Sequence, residues 1–476
     1  MMRTGSKIGA LAALCTLSAG LNSAPAADLP ARVYTKAPVL APAPYNWSGF
    51  YFGANAGFGL GRNSSEIVNI FGQSANAYVG PLGAIGGGQA GFNWQSGIWL
   101  LGLETDIQAA DMRDDRLCGR FCQPGGYLRL DQRLNWFGTT RARLGLVTGP
   151  VLSYFTGGVA YGSVETTASV LDFNPGNFSF KETRTGWTWG SGVEASLGGN
   201  LTGKIEYLYL NLGNQSANFN NAGIGHSFSS EIREHIFRAG VNYRIGVNGS
   251  YVPSPVANWS GFYLGANAGA ATARNQTSFY DTAAAPVWNE TYNLMPNGYI
   301  AGVQGGYNWQ SAAWVVGIEA DIQGSTQRDN SNCMLACLLT VAQRMNVDQR
   351  MTWLGTVRGR LGYSFGPTLF YATGGLAYGG ITNDVTEFAG PALVASFKHS
   401  KGGWTAGGGV ETPLDLFGWL GKGWTTKTEY LYVDLGRITD TFTYTGFNQA
   451  ITSRVTEHVF RSGINYRFNA PVVSKY

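Results

Sequence analysis

The chain has 476 residues, of which 68 are glycine; 13% are aromatic, only 13% are charged, and the formal net charge is +4. Soluble domains average about 7% glycine and about 25% charged residues, which excludes a pair of ordinary cytosolic domains. Mean hydropathy is −0.08 and the single long apolar stretch lies near the N-terminus, so a bundle of membrane helices of about 20 apolar residues each is excluded too. Rich in glycine and rings yet hydropathically neutral, the chain has the composition of a membrane β-barrel, whose lipid-facing and lumen-facing residues cancel along each strand.

Arg3 and Lys7 precede a short apolar run, Ile8 to Leu17, and Ala24-Pro25-Ala26 offers small residues for cleavage. Residues 1–26 therefore read as a secretory signal peptide. Its removal leaves the mature chain nearly neutral, which argues for no nucleic-acid partner. Residues 27–45 form a Pro/Ala-rich segment expected in the periplasm.

The remainder is written twice. Asn46-Trp-Ser-Gly-Phe-Tyr-Phe-Gly-Ala-Asn-Ala-Gly57 returns as Asn258-Trp-Ser-Gly-Phe-Tyr-Leu-Gly-Ala-Asn-Ala-Gly269. Asn93-Trp94-Gln95-Ser96 recurs at Asn308-Trp309-Gln310-Ser311, and Glu206-Tyr207-Leu208-Tyr209 at Glu429-Tyr430-Leu431-Tyr432. The expected domains are a first barrel repeat over 46–246, a linker over 247–257 with Pro253 and Pro255, a second repeat over 258–468, and a tail over 469–476.

Period-two alternation marks two-faced strands. Eight begin in the first copy, near residues 47, 85, 98, 128, 152, 184, 201 and 233. One face carries acids Glu104, Asp106, Asp131, Glu194, Glu206 and Glu234 with bases Arg133, Arg141, Arg143, Lys204, Arg238 and Arg244. The opposite face carries Leu101, Leu103, Ile107, Trp136 and Leu144. Copy two repeats the charged face with Glu319, Asp321, Asp348, Glu411, Glu429 and Glu457 against Arg350, Arg358, Arg360, Lys427, Arg461 and Arg467.

Connectors alternate as well. Gln95-Ser96-Gly97, Thr148-Gly149-Pro150 and Gly198-Gly199-Asn200 are short turns. Those near 62–84, 111–127, 165–183 and 212–231 read as long polar loops, which belong outside the cell in an outer-membrane barrel. Cys118 and Cys122 share one such loop, and Cys333 and Cys337 its counterpart. An even number of cysteines in an exported chain favours a disulfide within each pair.

The Trp-Ser-Gly-Phe-Tyr opening, the glycine-rich strands and the Tyr-Arg-Phe close resemble the alphaproteobacterial outer-membrane β-barrel family of porin-like and OmpA-barrel-like surface proteins. The resemblance covers nearly all of the mature chain, twice over, whereas family members usually carry a single eight-stranded barrel. It implies a place in the bacterial outer membrane and roles in envelope integrity, porin-like permeation or, in some members, haemin binding. Each copy also ends in a stretch similar to the insertion signal read by the barrel-assembly machinery: Arg238, Gly240, Tyr243, Ile245, then Arg461, Gly463, Tyr466, Phe468.

No catalytic set, metal site or cofactor is implied. Gly86-Gly-Gly88-Gln-Ala-Gly91 matches a dinucleotide loop as a string, but it lies in a strand with no helix after it. Glu104 and Asp106 pair more readily with the neighbouring arginines than they serve as an acid–base couple. The expected fold is all-β and transmembrane: two tandem eight-stranded barrels, or alternatively one sixteen-stranded barrel. Enclosed charges must be paired, and the balance within each copy favours the first. The expected function is non-enzymatic, structural or porin-like, in contact with outer-membrane lipid. The alternative is surface capture of haemin or a host or phage partner through the long loops.

Overall fold

The computed structural model describes residues 45–72, 74–118, 128–171, 174–246, 256–282, 289–333, 345–387, 392–414, 423–444 and 447–468. The proposed signal peptide and tail, most of the proposed linker, and Cys122 and Cys337 lie outside these ranges. Among the described residues the chain is strands joined by turns. The first repeat contains β1 (Gly49–Gly61), β2 (Asn63–Asn69), β3 (Ser74–Val79), β4 (Leu82–Ser96), β5 (Trp99–Cys118), β6 (Leu128–Thr148), β7 (Val151–Val170), β8 (Gly176–Gly198), β9 (Leu201–Asn221) and β10 (Ile224–Arg244). The second contains β11 (Gly261–Thr272), β12 (Asn275–Asp281), β13 (Asn289–Leu294), β14 (Asn297–Ser311), β15 (Trp314–Ser325), β16 (Arg328–Cys333), β17 (Met345–Phe365), β18 (Thr368–Glu387), β19 (Leu393–Pro413), β20 (Trp424–Tyr444) and β21 (Phe447–Arg467).

Each copy closes on itself. β1 pairs with β4 on one side and with β10 on the other, setting Tyr51 opposite Arg244. β11 likewise joins β14 to β21, with Tyr263 opposite Arg467. β2 prolongs β1 and β3 leads into β4, so the first wall has eight strands; β11 with β12, β13 with β14 and β15 with β16 give the second wall the same number. The chain therefore forms two eight-stranded antiparallel barrels and not one sixteen-stranded ring. Closure leaves no strand edge for lipid to meet, which is what lets each repeat span a membrane.

The strands are longer than spanning requires. About 9–11 tilted residues cross a bilayer, yet β6 has 21 and β8 has 23. Most of what reads in the sequence as long loops is barrel wall rising above the membrane. β2 and β3 lie within residues 62–84, β5 reaches Cys118, and β9 turns into β10 at Ala222-Gly223. The outward face of this upper wall meets water, as at exposed Ser216 and Asn218, so the apolar half of the alternation vanishes and a strand looks like a loop.

At the other end the turns are tight, and φ is positive at Gly97, Gly149 and Gly199. The counterpart of Gly97 is Ala312, held at φ 52°. A left-handed backbone costs a side-chain-bearing residue about 1–2 kcal/mol. Ala312→Gly should therefore stabilise the second barrel by about 1 kcal/mol and Gly97→Ala should destabilise the first as much, read from urea midpoints of the detergent-folded protein.

Rings mark the bilayer boundaries. Near the short turns Phe50 meets Phe92 at a tilt, and Trp94 and Trp99 are exposed. Higher up, Trp136 meets Tyr161 and Trp187 meets Tyr209. Between these belts Leu101, Leu103, Ile107 and Leu144 face lipid, each more than half exposed.

Candidate functional site

A β-bulge resets the inside of the first barrel. Below Asn135 the odd residues of β6 point inward, Arg141 and Arg143 among them. Above it the pairing between Leu134 and Trp136 slips by one residue, and Leu128, Leu130, Gln132 and Leu134 become the buried set. An extra residue on one strand inverts the parity of everything beyond it. Asp131 and Arg133, expected in the lumen, consequently lie outside, where they pair with each other at 2.9 Å with Arg133 half exposed. The same slip between Met351 and Trp353 turns Asp348 and Arg350 off the inner face, and Arg328 pairs with Asp348 there. Leu134, which shares its parity with Trp136, faces inward for the same reason.

Most of the remaining lumen charges converge. Arg141 donates to Glu104 at 2.5 Å, Asp106 at 2.9 Å and Glu206 at 3.0 Å. Arg143 reaches Glu194 at 2.8 Å, Lys204 reaches Glu104 at 2.8 Å, and Arg238 donates to Glu206 at 2.7 Å and Asp106 at 2.9 Å. Four acids thus meet four bases, and their side chains are almost wholly buried. The second barrel repeats the cluster: Arg358 with Glu319, Asp321 and Glu429, Arg360 with Glu411, Lys427 with Glu319, and Arg461 with Asp321 and Glu429. Burying an ion is tolerable only when it is paired and hydrogen-bonded, and local neutrality meets that condition in both copies.

Other predicted lumen residues sit apart from the cluster. Glu234 accepts from Asn63 at 3.1 Å, and Glu457 accepts from Gln327, each higher in its barrel. Arg244 and Arg467 lie at the lower mouth, bonded to the carbonyls of Asn46 and Asn258. Cys118 and Cys333 end β5 and β16. Tyr466 and Phe468 of the terminal signal face outward, 37% and 59% exposed, and Gly463 pairs with Asn267.

Tyrosines absent from the sequence expectation complete the network. The Tyr51 hydroxyl donates to Glu104 at 2.8 Å and accepts from Arg143 at 2.6 Å, and Tyr154 donates to Glu206 at 2.9 Å. Each ring lies flat along the wall because a glycine, Gly91 or Gly192, stands where any Cβ would strike it. Tyr263 and Tyr371 repeat the contacts to Glu319 and Glu429. Their signal was available: Tyr51 and Tyr263 share the parity of Asn55 and Asn267 in the repeated opening motif.

Further layers fill the rest of each barrel. Trp47 of the opening motif is buried in the lower mouth, its indole bonded to the Gly149 carbonyl at 3.2 Å, and Trp259 occupies the second mouth. Above the charges an apolar layer contains Met112, Leu134, Phe137, Leu208 and Ile236. Asn63, Gln132, Thr166 and Gln215 then form a polar layer, and Ile67, Leu130 and Phe228 close the top. An eight-stranded interior is just wide enough for its side chains to fill.

The outward faces hold a second feature, a seam between the barrels. Tyr207 stacks on Phe460 and Phe237 meets Tyr430, with ring centroids 5.8 and 5.6 Å apart, so outward-pointing rings are buried against each other. Val151 and Val193 meet Phe370 and Val410 below. Above, Pro81 and Pro296 interrupt the walls, and no register joins β3 to β5 or β13 to β16 among the described residues. Across these slots Arg62 pairs with Asp329 and Arg274 with Asp114, a reciprocal exchange about a pseudo-two-fold axis. Burial raises the pKa of both aspartates above the ordinary value despite the arginine against each. Such bridges fix orientation more than they add stability. Two imidazoles point into this seam, His235 bonded to Tyr207 at 2.8 Å and His458 to Tyr430 at 2.7 Å.

Two closed antiparallel barrels with aromatic belts and filled, charge-balanced interiors define a tandem outer-membrane β-barrel protein. The family model for the outer membrane protein β-barrel domain matches residues 12–244 and again 250–468, and the chain belongs to that family. It is 35% identical over 224 residues to a 31 kDa outer-membrane immunogenic protein of Brucella melitensis, covering 45% of this chain and 86% of that one. A 22 kDa outer membrane protein of Rhizobium leguminosarum is 29% identical over 199 residues, 42% of this chain and 78% of its own. Among solved structures, Neisserial surface protein A aligns with 42% of this chain and 98% of its own at 16% identity and a TM-score of 0.21. A Pseudomonas aeruginosa FadL homologue aligns with 88% of this chain and 91% of its own at 7% identity and a TM-score of 0.26.

Proposed function

We propose that this outer-membrane protein works as a non-conducting structural element that carries two tall barrel walls above the bilayer. One observation carries the reading: each lumen is filled in layers, from the buried tryptophan at the lower mouth through the ion cluster to the apolar cap. A solute would have to break several buried ion pairs at once to pass. The upper walls present polar surface to the outside, a position that suits the immunogenic proteins named among the relatives. Insertion through the barrel-assembly machinery, read from the terminal Gly463, Tyr466 and Phe468, belongs to the same proposal.

Planar-bilayer recording of the purified full chain tests it. The expected trace is flat, with no stable stepwise openings. Long-lived steps of uniform size would overturn the reading and restore a porin-like role.

A further inference from the structure

Two grooves flank the seam at the outer end of the lipid-facing band. One, of about 340 Å³, is walled by Trp187, Trp189, Tyr209 and His235, with Arg62 and Arg233 at its rim. The other, of about 610 Å³, has Tyr432 and His458 with Arg274 and Arg454. Each is completed by the opposite barrel, through Tyr299 in the first and Phe58 in the second.

The chemistry recurs although the sequence does not strictly repeat. Tyr209, His235 and Arg62 correspond to Tyr432, His458 and Arg274 by the repeat. The second arginine comes from different places: the counterpart of Arg233 is Thr456, and that of Arg454 is Glu231. Both linings nevertheless contain two guanidinium groups and no carboxylate. In each groove one arginine also has an unused donor, for Nε of Arg233 and Nε of Arg274 are buried without an acceptor.

Height selects the occupant. The Trp187–Tyr209 and Trp404–Tyr432 pairs, with centroids 5.5 and 5.4 Å apart, mark the level of the outer headgroups, where amphipathic rings collect. A molecule reaching these grooves from the membrane brings acyl chains below and a headgroup above. A planar guanidinium donates two parallel N–H bonds to a pair of phosphate oxygens, so a groove with two guanidinium groups suits a phosphate.

We propose that each groove seats one phosphorylated lipid of the outer leaflet, its phosphate against the arginine pair and an acyl chain along the aromatic wall. The site exists only where two barrels meet, so it is a property of the tandem chain.

Native mass spectrometry of the detergent-folded full chain tests this with three probes: bisphosphorylated lipid A, its dephosphorylated form, and inorganic phosphate. Wild type should retain two lipid A molecules. The double variant Arg233→Gln, Arg454→Gln should weaken retention about tenfold or more, the scale of one lost charge-assisted contact per groove. Among the described residues Arg233 and Arg454 form ion pairs with Glu231 and Asp434 of their own barrels, at 39% and 53% exposure, so the variant should keep its heat-modifiable fold. Arg62 and Arg274 are left in place because they bridge the seam. Equal retention of both lipids by wild type, unchanged retention by the folded variant, or displacement by inorganic phosphate would each overturn the proposal. The wild-type lipid comparison decides the matter even if the variant fails to fold.

Discussion

Arg141→Met should destabilise the first barrel by about 3–5 kcal/mol, the cost of leaving a buried charge without its partner. Arg141 touches Glu104, Asp106 and Glu206, and its loss leaves four carboxylates facing three cations in a space that excludes water. Urea titration of the detergent-folded protein, followed by the heat-modifiable band, should show a large fall in midpoint. Arg133→Met is the matched control. It removes the same charge farther up β6, but from a half-exposed pair outside the wall, and should change stability by no more than about 0.5 kcal/mol. Equal effects would mean that the β-bulge at Asn135 does not invert β6. Adding Glu104→Gln to Arg141→Met should recover part of the loss, since contacting members of one network do not act additively.

Leu103→Arg should cost about 2–4 kcal/mol, the price of a cation on the lipid face near the midplane of a membrane barrel. Leu103 is 58% exposed and lies on β5 between exposed Trp99 and Ala109, the latter paired with Trp136 of the outer belt. The measurement is the folded fraction after transfer from urea into lipid vesicles. Ser216→Arg, on the outward face of the upper wall, meets water and should stay within about 0.5 kcal/mol of wild type. A tolerated arginine at Leu103 would show that this belt does not face lipid.

The charged interior was legible because alternation is a local signal. Glu104, Asp106, Arg141, Arg143, Glu206 and Arg238 each take the inward parity of their own strand, below any break in its register. Tyr51 and Tyr154 were missed because a tyrosine in a membrane barrel reads first as a belt residue. Asp131, Arg133, Asp348 and Arg350 were misplaced because parity counting assumes an unbroken ladder, and one inserted residue reverses it. The upper walls were read as loops since both of their faces are polar enough for water.

By itself the sequence determined a twice-written, all-β membrane chain, the inward charges below the bulges, and the balance of those charges within each copy. These follow from the two-residue period of a strand and from the need to neutralise enclosed ions. Only the tertiary structure decided that β1 closes on β10 and β11 on β21, and that the barrels share a seam. Outward rings such as Tyr207 and Phe237 look the same in sequence whether lipid or a second barrel covers them, because both coverings are apolar. Which one does shows only in contacts between distant positions, such as Arg62 with Asp329 and Arg274 with Asp114, residues more than 150 positions apart.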